Sequence, residues 1–268
     1  MTSVHGSSGT GSRVRRFSAA LSRPVSGRRR VLGFLLATAL LFGSLAVWYR
    51  VEHGPGGPLM PTGDTWESAV PALAIEHGLL ECAYPARAES AVPPLYPLVA
   101  AGILAVSRAG NGPLPVTWEV AVSCDKRGGH GSVHASEWPF LLTGLVGWPV
   151  LAVGSILVLG AGGLRRTRWE LFALGLMACL PFVAGALLPF FHPEDLLAMG
   201  FILATLGVAA RDRWGAAGIC IGLACCSKQY ALLALIPLAV VAPREKRVRF
   251  TAGCVVTAAI VVVPLLAA

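Results

Sequence analysis

Charge is what this sequence has least of. Only 13% of its 268 residues are Asp, Glu, Lys or Arg, about half the share of an ordinary soluble domain. Acids are scarcest at the start: none precedes Glu52. Period-two alternation of apolar and polar residues is missing across the apolar blocks, which argues against a membrane β-barrel. No internal repeat of 20–50 residues is present, and related halves of the kind common in transporters are not found.

What is abundant is uninterrupted apolar sequence. Residues 31–49 carry no charge over 19 positions, a helix of roughly 28 Å against a hydrocarbon core of about 30 Å. Residues 138–163, 170–191, 195–210, 215–242 and 250–268 form similar blocks. Helices are then the way to satisfy backbone groups in lipid, so the expected fold is all-α, a polytopic membrane protein. The first span reads as an uncleaved signal anchor, because its apolar stretch exceeds a typical h-region and no small-x-small site follows.

The net charge of +8 raises a nucleic-acid reading, and its distribution argues against one. Arg13, Arg15, Arg16, Arg23 and Arg28–Arg30 precede the first span. Arg165, Arg166 and Arg168 sit in one short connection, Arg211 and Arg213 in another, and Arg244, Lys246, Arg247 and Arg249 in a third. Residues 50–137 reverse the balance, with nine acids against five bases. That is the positive-inside pattern. It implies a multi-pass protein of the cell membrane with a cytoplasmic N-terminus, a disordered basic tail over 1–30 and an extracytoplasmic loop over 50–137. For both arginine-rich connections to lie inside, 31–164 must cross an even number of times. The block 92–107, broken by Pro93, Pro94 and Pro97, is therefore placed as an interfacial helix. Spans are expected near 31–49, 138–163, 170–191, 195–210, 215–227, 229–242 and 250–268, with two half-length helices meeting at Ser227-Lys228-Gln229. The last block has no charged flank after it, which reads as a fragment or a truncated form.

Seven cysteines are present. Cys179, Cys220, Cys225, Cys226 and Cys254 fall in expected spans and read as small packing residues. Cys82 and Cys124 share the outer loop, where disulfides persist, and are expected to pair; two free thiols are the alternative. Cys124, Asp125, His130 and His134 match no strong zinc spacing, so no metal is assigned. Gly218-x-x-x-Gly222 matches the close-packing motif of membrane helices.

Three features point to chemistry. Asp64 follows the first span closely and suits a base at the membrane surface; Glu67 lies one turn further on. A solvated loop acid is the plain alternative. His192-Pro193-Glu194-Asp195 puts an imidazole and two carboxylates in a turn between two spans, where a simple polar turn would also serve. Lys228 lies inside an apolar block, where a lysine costs roughly 2.5–3.5 kcal/mol at a helix centre and so faces a cavity or a partner, unless it snorkels to the surface.

The order of these parts resembles the GT-C class of membrane glycosyltransferases, and within it the family-87-like mannosyltransferases. The resemblance rests on Asp64, on Pro93-Pro94-Leu95-Tyr96-Pro97, on the Gly218-x-x-x-Gly222-Leu-Ala-x-x-x-Lys228 segment and on the short acidic outer turn at 192–195. It covers about residues 31–242. Such enzymes are generally longer, and the glycine-rich insert at 108–137 departs from the pattern. The resemblance implies transfer of a sugar from a polyprenyl-phosphate donor to a glycan or lipid acceptor at the outer face, with no nucleic-acid partner. Asp64 would be the base and Lys228 the cation opposite the leaving phosphate. His192, Glu194, Asp195, Glu67 and Tyr96 would bind substrate. Paired carboxylates suit Mg²⁺ or Mn²⁺, but nothing in the spacing requires a metal, and no cofactor is assigned. A non-catalytic scaffold and a transporter are the competing readings.

Overall fold

Backbone N–H and C=O groups in a hydrocarbon must close hydrogen bonds on themselves, and the apolar blocks of this chain do so as helices. The computed structural model describes residues 18–53, 63–84, 92–111, 118–124, 129–135, 142–187 and 191–267. In chain order the helices are α1 (Gly27–His53), α2 (Gly63–Glu76), the single turn α3 (Leu80–Ala83) and α4 (Leu95–Asn111). After a β-hairpin come α5 (Gly147–Ala161), α6 (Arg168–Ala178), α7 (Pro181–Leu187), α8 (Pro193–Ala209), α9 (Trp214–Ser227), α10 (Ala231–Val241) and α11 (Arg244–Ala267). Among the described residues three helical stretches are long and apolar enough to cross a membrane, Gly27–Val47, Gly144–Ala161 and Arg244–Ala267. The pair α6–α7, bent by 57°, is a fourth if taken as one span.

The hairpin pairs β1 (Trp118–Cys124) with β2 (Gly129–Ala135), Trp118 opposite Ala135 and Cys124 opposite Gly129. Sequence reading places no strand in this insert, and the hairpin is a local departure from an otherwise helical fold. Val120 and Val122 alternate along β1, and β-branched residues suit a strand. The signal is two residues long and is lost beside twenty-residue apolar blocks. The helix turn bearing Cys82 touches β1. The side chains of Cys82 and Cys124, and with them the disulfide, lie outside the described residues, as do Asp125 and the side chains of His130 and His134.

Charge and packing sort the molecule into two ends. At one end the N-terminal approach to α1 is clamped on the α5–α6 turn. Val25 N–H donates to Arg166 O at 2.6 Å and Arg168 N–H to Arg23 O at 3.2 Å. The buried Glu170 carboxylate receives Arg30 Nε on Oε1 at 2.7 Å and the Arg166 backbone N–H on Oε2 at 3.0 Å. Lys246 and Asp212 form an ion pair, which brings the α10–α11 and α8–α9 connections together at that end. Arg211 reaches the Gly207 carbonyl there. The opposite end carries the start of α8, the α9–α10 break and the cluster made by α2, α3 and α4.

Glycine makes the close crossings between these helices. A Cβ at Gly154 on α5 would strike the Gly200 carbonyl of α8, and one at Gly200 would lie 2.7 Å from Val150 O. On α9, a Cβ at Gly218 would strike the Phe250 carbonyl of α11, and one at Gly222 would lie 2.8 Å from Cys254 O. The Gly218-x-x-x-Gly222 motif thus lets α9 and α11 run side by side with backbones almost touching, as small-residue motifs do in membranes. Because the obstacle is backbone, no side-chain rotation relieves it. Gly218→Ala and Gly154→Ala should each lower thermal stability in detergent, by about 1–3 kcal/mol as overpacking does. Gly175→Ala, with nothing within 4 Å of its Cβ, is the control expected to lose none.

Candidate functional site

Pro193 opens α8, a position where its missing N–H costs nothing. Glu194 and Asp195 follow in the first turn, where the partial positive charge of a helix N-terminus favours carboxylates. The turn is closed by Asp195 N–H donating to His192 O at 3.0 Å, and tied to α7 by His192 N–H donating to Ala186 O at 2.8 Å. Thirty-two residues downstream, α9 ends at Ser227. Lys228 drops into an extended conformation while its N–H still reaches Ala224 O. The break turns the lysine out of the helical row and toward α8.

The two segments meet at the Glu194 carboxylate, which is 1% exposed. Its Oε1 receives Lys228 Nζ at 2.9 Å and faces His192 Nδ1 at 2.9 Å. Asp195 Oδ1 lies 3.3 Å from the same ammonium, near enough for charge pairing but outside hydrogen-bonding geometry. Tyr230, in the same break, donates its hydroxyl to the Asp195 backbone carbonyl at 3.1 Å. Burial works against the charge on Lys228, but the Glu194 carboxylate, followed by Asp195, outweighs it and holds the ammonium above its ordinary pKa.

Beneath the acidic turn lies a packed floor. Tyr96 is fully buried, its ring edge against Phe191 at 6.1 Å and its hydroxyl 2.7 Å from Thr143 Oγ1. Burial raises its pKa; the Thr143 hydrogen bond opposes this and the nearby Glu194 charge adds to it. Phe191 itself adopts φ 47°, a left-handed conformation that is an outlier for a bulky residue, and buries its ring completely. It is the sharp corner that delivers His192.

Of the residues picked out in sequence, His192, Glu194, Asp195 and Lys228 come together, with Tyr96 under them. Lys228 does not stand free to face a phosphate: Glu194 already holds it. Tyr96 supports the turn and has no surface for a substrate. Glu67 is exposed on α2. Asp64 lies on the first turn of α2, with its side chain outside the described residues. Thr143, Phe191 and Tyr230 escaped the sequence reading, since only the meeting of α4, α5, α8 and the α9–α10 break gives them partners.

With two carboxylates against one ammonium the cluster keeps a net negative charge when His192 is neutral. Glu194 Oε2 and Asp195 Oδ1 are buried without a hydrogen-bond partner, and Asp195 Oδ1 lies against the Lys228 ammonium. Lys228 Nζ sits between the two carboxylates, and among the described residues no three His, Cys, Asp or Glu are arranged to hold a metal.

The model of glycosyltransferase family 87 matches residues 135–268. The chain belongs to glycosyltransferase family 87. The match contains the whole His192–Asp195 and Lys228 cluster and leaves Asp64, Glu67 and Tyr96 before its start. No curated protein and no solved structure matches this family-87 chain.

Lys228→Met should leave Glu194 buried and uncompensated, a loss of about 3–5 kcal/mol, and Lys228→Met with Glu194→Gln should recover most of it. Thermal melts in detergent read both. Because the Lys228 pKa is raised, the pair's stabilisation is fully present below the ordinary lysine value of 10.5. It is lost only as pH climbs through the higher folded value. The wild-type advantage over the double variant should therefore stay flat from pH 7 to about 10.

Proposed function

We propose that this chain transfers a sugar from a polyprenyl-phosphate donor to a hydroxyl of a glycan or lipid acceptor, at the end of the helical bundle that carries His192–Asp195. The convergence of that turn with Lys228 across 34 residues, inside the family-87 match, is the observation that supports the reading most. In this proposal the arginine-rich end is cytoplasmic, by the positive-inside bias, and the site is extracytoplasmic.

The acceptor oxygen attacks the anomeric carbon, the bond from that carbon to the phosphate oxygen breaks, and polyprenyl phosphate leaves with the electron pair. The acceptor proton passes to Asp64, the base implied by the GT-C resemblance. Asp195, whose side chain is partly exposed, accepts hydroxyl hydrogens of the sugars and fixes their orientation, which is where much of the rate gain in bimolecular transfer arises. Lys228 is a positioning residue: it holds the buried Glu194 carboxylate through Oε1. His192, bonded to the same oxygen, can carry a proton and so neutralise charge that builds on the leaving phosphate.

Asp64→Asn should lower transfer at least 100-fold, the scale of general-base catalysis, with membrane insertion and melting temperature unchanged. Asp195→Asn should chiefly raise the KM for acceptor. The assay is sugar transfer from polyprenyl-phosphate donors in proteoliposomes. Full activity in Asp64→Asn would remove it as the base.

A further inference from the structure

The end of the bundle opposite the acidic cluster has cations to spare. Around the start of α1 and the α5–α6, α8–α9 and α10–α11 connections, thirteen Arg and Lys residues face Glu170, Asp212 and Glu245. Two of those acids are engaged, Glu170 by Arg30 and Asp212 by Lys246. Solvated arginines in surplus are ordinary. Arg165 and Arg211 differ, because they come from separate connections and close on one spot, Gly160 in the last turn of α5. A Cβ at Gly160 would strike the Arg211 guanidinium and lie 3.4 Å from both Cβ and Cδ of Arg165. On its other side the Arg211 guanidinium donates to Gly207 O, near the end of α8.

That bond occupies one of the five N–H donors of Arg211. Among the described residues neither arginine has a carboxylate partner. Two cations held against one glycine repel each other. An anion between them reverses the sign, and the planar guanidinium fork matches a phosphate. Three features make that phosphate a lipid headgroup. Gly160 lies at the end of Gly144–Ala161, a stretch long and apolar enough to cross a membrane, so the pair sits where hydrocarbon gives way to headgroups. Trp169 and Trp214 stand beside the same two connections, as aromatic residues do at headgroup level. Val153, seven residues before Gly160 and so on the same face of α5, is 54% exposed, an apolar track beneath the pair for an acyl chain.

We infer that Arg165 and Arg211, seated over Gly160, bind the phosphate of an anionic phospholipid in the leaflet at the arginine-rich end. The site lies at the other end of the bundle from the proposed sugar transfer and does not depend on it.

Gly160 supplies a test that leaves net charge untouched. The methyl of Gly160→Ala meets the far end of a flexible side chain rather than backbone, so the helix keeps its place while the Arg211 guanidinium is pushed off the spot. Native mass spectrometry of the full chain in detergent, with equal phosphatidylglycerol and phosphatidylcholine, reads the outcome. Wild type should retain phosphatidylglycerol about tenfold over phosphatidylcholine, since each arginine at an anionic surface contributes roughly a fivefold gain. Gly160→Ala should lose most of that preference, as should Arg165→Gln with Arg211→Gln. Arg244→Gln with Arg249→Gln, an equal loss of charge at exposed positions, should keep it. Melting curves in detergent establish that each variant is folded. Full preference in Gly160→Ala, or an equal loss in the Arg244 and Arg249 control, would reduce the pair to part of a diffuse positive field and overturn the inference. Displacement of the lipid by millimolar inorganic phosphate would overturn the assignment to a headgroup.

Discussion

A carboxylate buried in an apolar bundle must find a cation or give up its charge, and Glu194 finds Lys228. Much of the site end is arranged around that requirement. α9 stops at Ser227 so that the lysine can leave the helical row, α10 restarts after the break, and Tyr230 in the break fastens Asp195 by its backbone carbonyl. The left-handed Phe191 buries its ring on Tyr96 and turns His192 toward the same carboxylate. The pair also makes the cluster asymmetric: one Glu194 oxygen takes both Lys228 and His192, while the other is buried without a hydrogen-bond partner.

The arginine-rich end obeys the same rule with opposite components. Glu170, also buried, is held by Arg30 and the Arg166 N–H, locking the entry of α1 to the α5–α6 turn. Between the two charged ends a few polar side chains cross between helices, Trp148 to Thr38 and Ser155 to Met177 among them, and glycine sets the closest approaches. Gly154 with Gly200, and Gly218 with Phe250, set crossings by backbone approach. Packing by small residues works in lipid because the hydrophobic effect cannot distinguish helix–helix from helix–lipid contact. Among the described residues the result is a bundle with one bent pair of helices long enough together to span, α6–α7.

The family-87 match contains the His192–Asp195 and Lys228 cluster; in the proposed function that cluster is one half of the site and Asp64 supplies the other. α2, on which Asp64 sits, packs its alanine-rich face onto the same core that holds Tyr96 and Phe191, so the fold brings the two parts to one end of the molecule.

Much of this was legible in one dimension. Long apolar blocks demand helices wherever lipid replaces water, and lone charges within or between them, at Asp64, His192–Asp195 and Lys228, stand out because each is costly there. The sequence by itself therefore determined the helical class, the segregation of arginine from acid, and which polar residues needed explaining. What each of those residues touches was decided only by tertiary structure. Lys228 reads in sequence as a cation needing a cavity or a partner, and the fold supplies the partner, Glu194. Tyr96 reads as a substrate contact and proves to be a buried support. The β-hairpin left only the two-residue signal of Val120 and Val122, and the left-handed Phe191 and the Arg30–Glu170 clamp left none of their own. The physical reason is that cost is a property of one residue and its neighbours in the chain, whereas compensation depends on groups 34 or 140 residues away that only packing brings within 3 Å.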